Sequence, residues 1–180
     1  MHIDRSGLLE GARFIASPNS DERPPGSGVD LVVVHGISLP PGEFGGGGIV
    51  DLFTNCLNPD AHPYYREIKD LTVSPHFLIR RDGEIIQFVS CDRRAWHAGE
   101  SAWRGRSRCN DFSIGIEIEG CDDQPFEGAQ YERLAELTSA LEAKYPISGI
   151  VGHCDIAPGR KTDPGPCFDW ARYRKLLKDS

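Results

Sequence analysis

VDLVVVH, residues 29–35, runs between Gly28 and Gly36. It is short, continuous and rich in valine, with one polar residue near its start and a histidine at its end. Apolar runs of this length without alternation predict a strand buried on both faces, as in sheets covered by helices. Working outward, FSIGIEIEG (112–120) alternates strictly. Phe112, Ile114, Ile116 and Ile118 are predicted on one face, with Ser113, Gly115, Glu117 and Glu119 on the other. HFLIRR and EIIQFVS flank Asp82-Gly83, a strong hairpin signal. Helices are predicted around IVDLFTNCL, along the spacing Tyr131, Leu134, Leu137, Leu141, Tyr145 up to Pro146, and over the C-terminal FDWARYRKLLK. SGIVGH reads as a further short strand. Strands alternating with helices, plus one hairpin, give an α/β fold with a central mixed sheet flanked by helices.

The totals bound what such a fold does. A chain of 180 residues, 39% apolar and 26% charged, is expected to form one globular domain over 1–180, with the Pro-, Ser- and Gly-rich stretch 15–28 as an extended arm. A net charge of −7 argues against nonspecific nucleic-acid binding, which runs on Lys and Arg density. No apolar run is long enough to span a membrane. Charges at Asp4, Arg5, Glu10 and Arg13 interrupt the N-terminus, so no signal peptide is expected. The six cysteines contain no CxxC pair and read as free thiols of a reducing compartment, so the expected location is cytoplasmic.

His35 and His153 each stand where a buried strand gives way to a Gly- or Pro-containing loop, the place where such sheets build sites. On neighbouring strands they would meet across one rim and bind a metal through neutral imidazole. A catalytic zinc site needs a third protein ligand and an open position. GHCDIAPGRKTDPGP offers both Asp155 and Asp163, and spacing does not choose between them. Glu117 and Glu119 share a strand face, and either is a candidate general base. Lys161 beside a metal would stabilise an oxyanion, whereas Arg160 and Lys161 taken alone read as surface charges. RRAWHAGES places Trp96 and His97 in a loop, the indole being core or a platform for a sugar ring. The Gly-rich loop after Glu43 lacks the GK[ST] ending of a phosphate-binding loop.

Together VVVHGISLPPGEFGG, HFLIRRDGEIIQFVSCDRRAWHAG, RCNDFSIGIEIEG and GHCDIAPGRKTDPGPCFDW resemble the AmpD-type 1,6-anhydro-N-acetylmuramyl-L-alanine amidases, a zinc amidase family that shares its fold with peptidoglycan-recognition proteins. The resemblance implies zinc ligands at His35, His153 and Asp163, a catalytic glutamate at Glu117 and a catalytic lysine at Lys161. It implies muropeptide contacts at Trp96, Arg108, Ala157 and Arg160, and a cytoplasmic role in cell-wall recycling on anhydro-muropeptides. A monomer is the expected state, with no nucleic-acid or membrane partner. Two positions depart from the family pattern. Gly36 stands where an asparagine is usual, and Thr72 where a basic residue is common. Two rival functions remain: a non-catalytic peptidoglycan-recognition module, and a metal-free glycosidase using Glu117 and Glu119.

Overall fold

The computed structural model describes residues 1–179. Strand β1 is Arg13–Phe14, β2 Ser20–Asp21 and β3 Leu31–Ile37, followed by helices α1 (Gly48–Phe53) and α2 (Pro63–Ile68). Strands β4 (Phe77–Ile79), β5 (Ile85–Gln87), β6 (Arg94–Ala95), β7 (Ala102–Trp103), β8 (Arg106–Ser107) and β9 (Ser113–Glu119) come next. The chain ends with α3 (Gly128–Lys144), β10 (Gly149–Gly152), α4 (His153–Ile156) and α5 (Trp170–Asp179). Six strands form one mixed sheet in the order β1-β5-β4-β9-β3-β10. The β4–β9, β9–β3 and β3–β10 pairs are parallel, and the β4–β5 hairpin is antiparallel.

The valine run behaves as its composition dictates. Leu31 to Val34 are fully buried in the middle of the sheet. Val32 and Val34 join Ile114, Ile116 and Ile118 in a core closed by Leu134, Leu137 and Leu141 of α3. Leu31 and Val33 face the other way, against Ala98, Cys109 and Val151. Each fully buried aliphatic side chain contributes about 1.5–3 kcal/mol by leaving water. The alternation prediction fails at one residue. Phe112 precedes β9, and its backbone (φ −134°, ψ 11°) turns off the strand, so its ring packs with Leu31 and Val33 instead of with the isoleucines.

The hairpin turns at Gly83 (φ 89°), a left-handed position that suits a glycine, and the Arg80 N–H donates to the Glu84 carbonyl at 2.9 Å. Helix α3 starts where the Gln130 side chain accepts the Glu127 backbone N–H at 2.9 Å, and it stops before Pro146. Helix α5 packs on α3 through Tyr173, whose hydroxyl lies 2.8 Å from Thr138 Oγ1. Helix α2 and the short pairs β2–β6 and β7–β8 were not expected from the sequence. The arm 15–28 supplies β2 and is locked down by Arg23. Its buried guanidinium donates to the carbonyls of Cys91, Asn110, Asp111 and Ser113 at 2.9–3.1 Å.

Candidate active site

Strand register brings the chemistry together. His35 on β3 is paired directly with Glu117 on β9, and directly paired residues of parallel strands project to the same face. Gly152, the last residue of β10, pairs with Val34, so the chain places His153 next to His35 as it turns into α4. The two aspartates left open by spacing now separate. The Asp155 carboxylate accepts the Gly152 N–H at 2.8 Å and is used up in starting α4. Asp163 is returned to the strand end by its own carbonyl, which accepts the Cys154 N–H at 3.0 Å. Its carboxylate faces the histidines. Pro164 packs beneath, so close that a side-chain carbon at Gly36 would sit 3.1 Å from the Pro164 carbonyl oxygen. The glycine departure at 36 therefore coincides with a tight approach of the Asp163 loop to β3.

The resulting cluster is compact. His35 Nδ1 lies 3.0 Å from His153 Nδ1 and 3.1 Å from Asp163 Oδ2, and His153 Nδ1 is also 3.1 Å from that oxygen. His153 Nε2 faces the Ala98 carbonyl at 3.1 Å, which only accepts, so Nε2 carries the proton and Nδ1 turns a lone pair inward. Lone pairs and a carboxylate converging at this distance are what a cation between them neutralises. Two imidazole nitrogens and one carboxylate oxygen form a donor set that fits zinc. Bonds of about 2.0–2.1 Å at tetrahedral angles hold ligand atoms ~3.3 Å apart, close to the separations here. Burial pushes the His35 imidazole down to about 4, which keeps it neutral as a ligand must be.

Glu117 Oε1 stands 4.0 Å from His35 Nδ1, and Glu117 Oε2 is buried without a hydrogen-bond partner. Burial, reinforced by the nearby Asp163 charge and opposed by Lys161, raises its carboxyl well above the ordinary glutamate value. A carboxylate raised in this way is a better proton acceptor than an ordinary glutamate. Glu119 is different. It is 1% exposed, accepts from Arg80 at 3.0 Å, and accepts the backbone N–H groups of Gly45 and Arg81 at 2.7 and 3.2 Å. It anchors the Gly-rich loop and has no room to act on a ligand. Glu119→Ala leaves Arg80 and two backbone donors unpaired. It is expected to lower unfolding stability by about 3–5 kcal/mol in urea titration while leaving metal content unchanged.

The cluster forms the floor of a cleft of about 480 Å³, within the range of small-molecule sites. One wall is apolar, from Leu39, Leu52, Phe53, Tyr64, Ile68 and Val73. Arg160 and Lys161, both exposed, border the other side. Arg160 donates to the carbonyls of Ala98 and Glu100 at 2.8 and 2.6 Å, which fixes its guanidinium there. Trp96, Arg108 and Ala157 do not line this cleft. Trp96 is half-buried, and Arg108 is exposed and paired with Asp111 at 3.3 Å. Ala157 is buried, and its carbonyl accepts the Arg160 and Lys161 N–H groups, which makes the turn that presents both side chains. Thr72 lies next to the cleft wall, exposed beside Leu71. His97, noted in the sequence only as a loop residue, is part of the floor. The apolar wall, drawn from α1, α2 and two loops, is likewise marked by no local sequence pattern.

Residues 25–166 match the family model described as N-acetylmuramoyl-L-alanine amidase. The 1,6-anhydro-N-acetylmuramyl-L-alanine amidase AmpD of Citrobacter freundii is 57% identical, covering 100% of this chain and 97% of that protein. A crystal structure of a selenomethionine AmpD derivative superposes with a TM-score of 0.96 at 57% identity, over 98% of this chain and 99% of the other. The amidase AmiD from E. coli, solved with the substrate anhydro-N-acetylmuramic acid-L-Ala-D-gamma-Glu-L-Lys, matches with a TM-score of 0.61 at 31% identity, over 86% of this chain and 60% of AmiD. On the family match over residues 25–166 and the full-length similarity, this chain belongs to the N-acetylmuramoyl-L-alanine amidase family.

Proposed function

We propose that this protein is a zinc-dependent amidase that cleaves the bond between the lactyl group of N-acetylmuramic acid, including its 1,6-anhydro form, and the L-alanine of a muropeptide. One observation carries the reading: the unpaired Glu117 carboxylate stands beside the His35–His153–Asp163 cluster at the floor of a single cleft. Full-length similarity to an amidase of that specificity supports the choice of bond.

His35, His153 and Asp163 would hold the zinc ion. When bound there, zinc supplies Lewis acidity toward a carbonyl oxygen and makes water more acidic. Glu117 takes the proton from the attacking water and delivers it to the departing alanine amine, so one carboxylate serves both halves of the reaction. Lys161 extends over the rim and offers its ammonium to the oxyanion of the tetrahedral species, a contribution commonly worth 10²- to 10³-fold in rate. Arg160, held by Ala98 and Glu100, is placed to meet a carboxylate of the peptide stem. The apolar wall excludes water from the opposite side and accommodates the less polar parts of the ligand. No helix among the described residues is long and apolar enough to cross a membrane. A cytoplasmic place in cell-wall recycling fits this reading.

Mass analysis of products from an anhydromuramyl tripeptide tests it. The expected products are the free tripeptide beginning with L-alanine and the anhydromuramic acid sugar, with glycosidic bonds of larger muropeptides left intact. Binding without cleavage would favour a recognition module, and a cut between sugars would favour a glycosidase. Either result would overturn the amidase reading.

A further inference from the structure

The segment RCNDFSIG, which leads into and begins β9, holds the back of the His35–His153–Asp163 cluster. Asn110 Oδ1 accepts two consecutive backbone N–H groups, from His97 at 3.1 Å and Ala98 at 2.8 Å. That clamps one dipeptide against the back of the metal cluster. The His97 ring is 8% exposed and its Nδ1 lies 2.9 Å from His35 Nε2. The Ala98 carbonyl lies 3.1 Å from His153 Nε2. The outer nitrogens of both histidine ligands therefore meet the same two residues. Gly115 on β9 leaves the space for the His97 ring, since a side-chain carbon there would come within 2.4 Å of it.

The direction of the hydrogen bonds follows from the end of the chain of contacts. The Cys109 carbonyl can only accept, so the Ser113 hydroxyl, 2.6 Å away, donates to it. Ser113 Oγ then accepts from His97 Nε2 at 3.1 Å. A neutral His97 ring with its proton on Nε2 has a bare Nδ1, which accepts from His35 Nε2–H. His35 is left with its lone pair on Nδ1, facing His153 and Asp163. Among the described residues the His97 ring nitrogens meet only His35 Nε2 and Ser113 Oγ.

We infer that the Asn110-clamped pair His97–Ala98 is the positioning unit for both histidine ligands, with the relay His35–His97–Ser113–Cys109 fixing the His35 tautomer. In this role His97 is a positioning residue that acts through His35. The inference rests on the zinc reading, and its tests separate the two. Outer-sphere partners of this kind typically govern 10- to 100-fold in metal affinity.

The experiment is competition titration of zinc against a chromophoric chelator. It uses the wild type, His97→Phe, which fills the space without an acceptor, and His97→Asn, whose amide oxygen falls near the Nδ1 position. His97→Phe is expected to weaken zinc binding 10- to 100-fold, with substantial recovery in His97→Asn. Nitrogen–proton correlation spectra of the zinc-loaded wild type are expected to show a His35 Nε2 proton that exchanges slowly. This readout does not depend on any variant folding. Zinc affinity of folded His97→Phe within twofold of wild type overturns the inference, as does a His35 ring protonated at Nδ1 or exchanging its Nε2 proton freely. Failure of the wild type to bind zinc would instead overturn the metal reading itself.

Discussion

Glu117→Gln is expected to lower kcat by about 10³-fold, inside the 10²- to 10⁴-fold range for a positioned general base. The amide keeps the shape of the side chain and its place opposite His35 in the sheet register, so neither packing nor the ligand cluster should shift. What it loses is the ability to take a proton. Zinc content and muropeptide affinity should therefore stay near wild type while turnover collapses. The pattern distinguishes Glu117 from Glu119, two residues along the same strand face, where substitution acts on stability through Arg80 and the Gly-rich loop. Steady-state kinetics with zinc quantitation on the same preparation checks it. A Glu117→Gln enzyme within tenfold of wild-type kcat would remove Glu117 from the role of base.

Much of this architecture was legible in the sequence because its cues are local. The valine run declared a doubly buried strand, Asp82-Gly83 a hairpin, and the leucine spacing a long helix, all of which the structure contains. Phe112 failed because alternation was extended one residue past the point where the backbone leaves the strand. At the site, His35 and His153 were readable as strand-end histidines, but the choice between Asp155 and Asp163 was not readable from spacing. It depends on which carboxylate the Gly152 N–H captures, a tertiary outcome. The resemblance to a known family pointed to Asp163, and the fold brings that carboxylate to the histidines. Glu117 and Glu119 looked equivalent in sequence because alternation is blind to Arg80, which arrives from the hairpin. His97 carries no motif of its own. Its place is set by Asn110 and by the space above Gly115, both on another segment. The apolar cleft wall is assembled from four separate stretches, so no window of sequence outlines it.

Removing the metal is expected to have the other large effect, on both activity and stability. Stripping would leave the donor atoms of His35, His153 and Asp163, 3.0–3.1 Å from one another, with no cation to neutralise their lone pairs. Ligand binding to the folded state alone stabilises it by RT ln(1 + [L]/Kd), about 4 kcal/mol at a thousandfold excess over Kd. For a domain of this size, that corresponds to a Tm decrease on the order of 10 °C after stripping. The same step would withdraw the Lewis acidity that the proposed reaction needs, leaving only Glu117 as proton acceptor and Lys161 as a positive charge. The most direct measurement is release of the peptide stem from an anhydro-muropeptide before chelation, after chelation, and after zinc is added back, with metal analysis at each stage. Release is expected to disappear with the metal and to return with zinc. Undiminished cleavage by protein shown to be metal-free would contradict it.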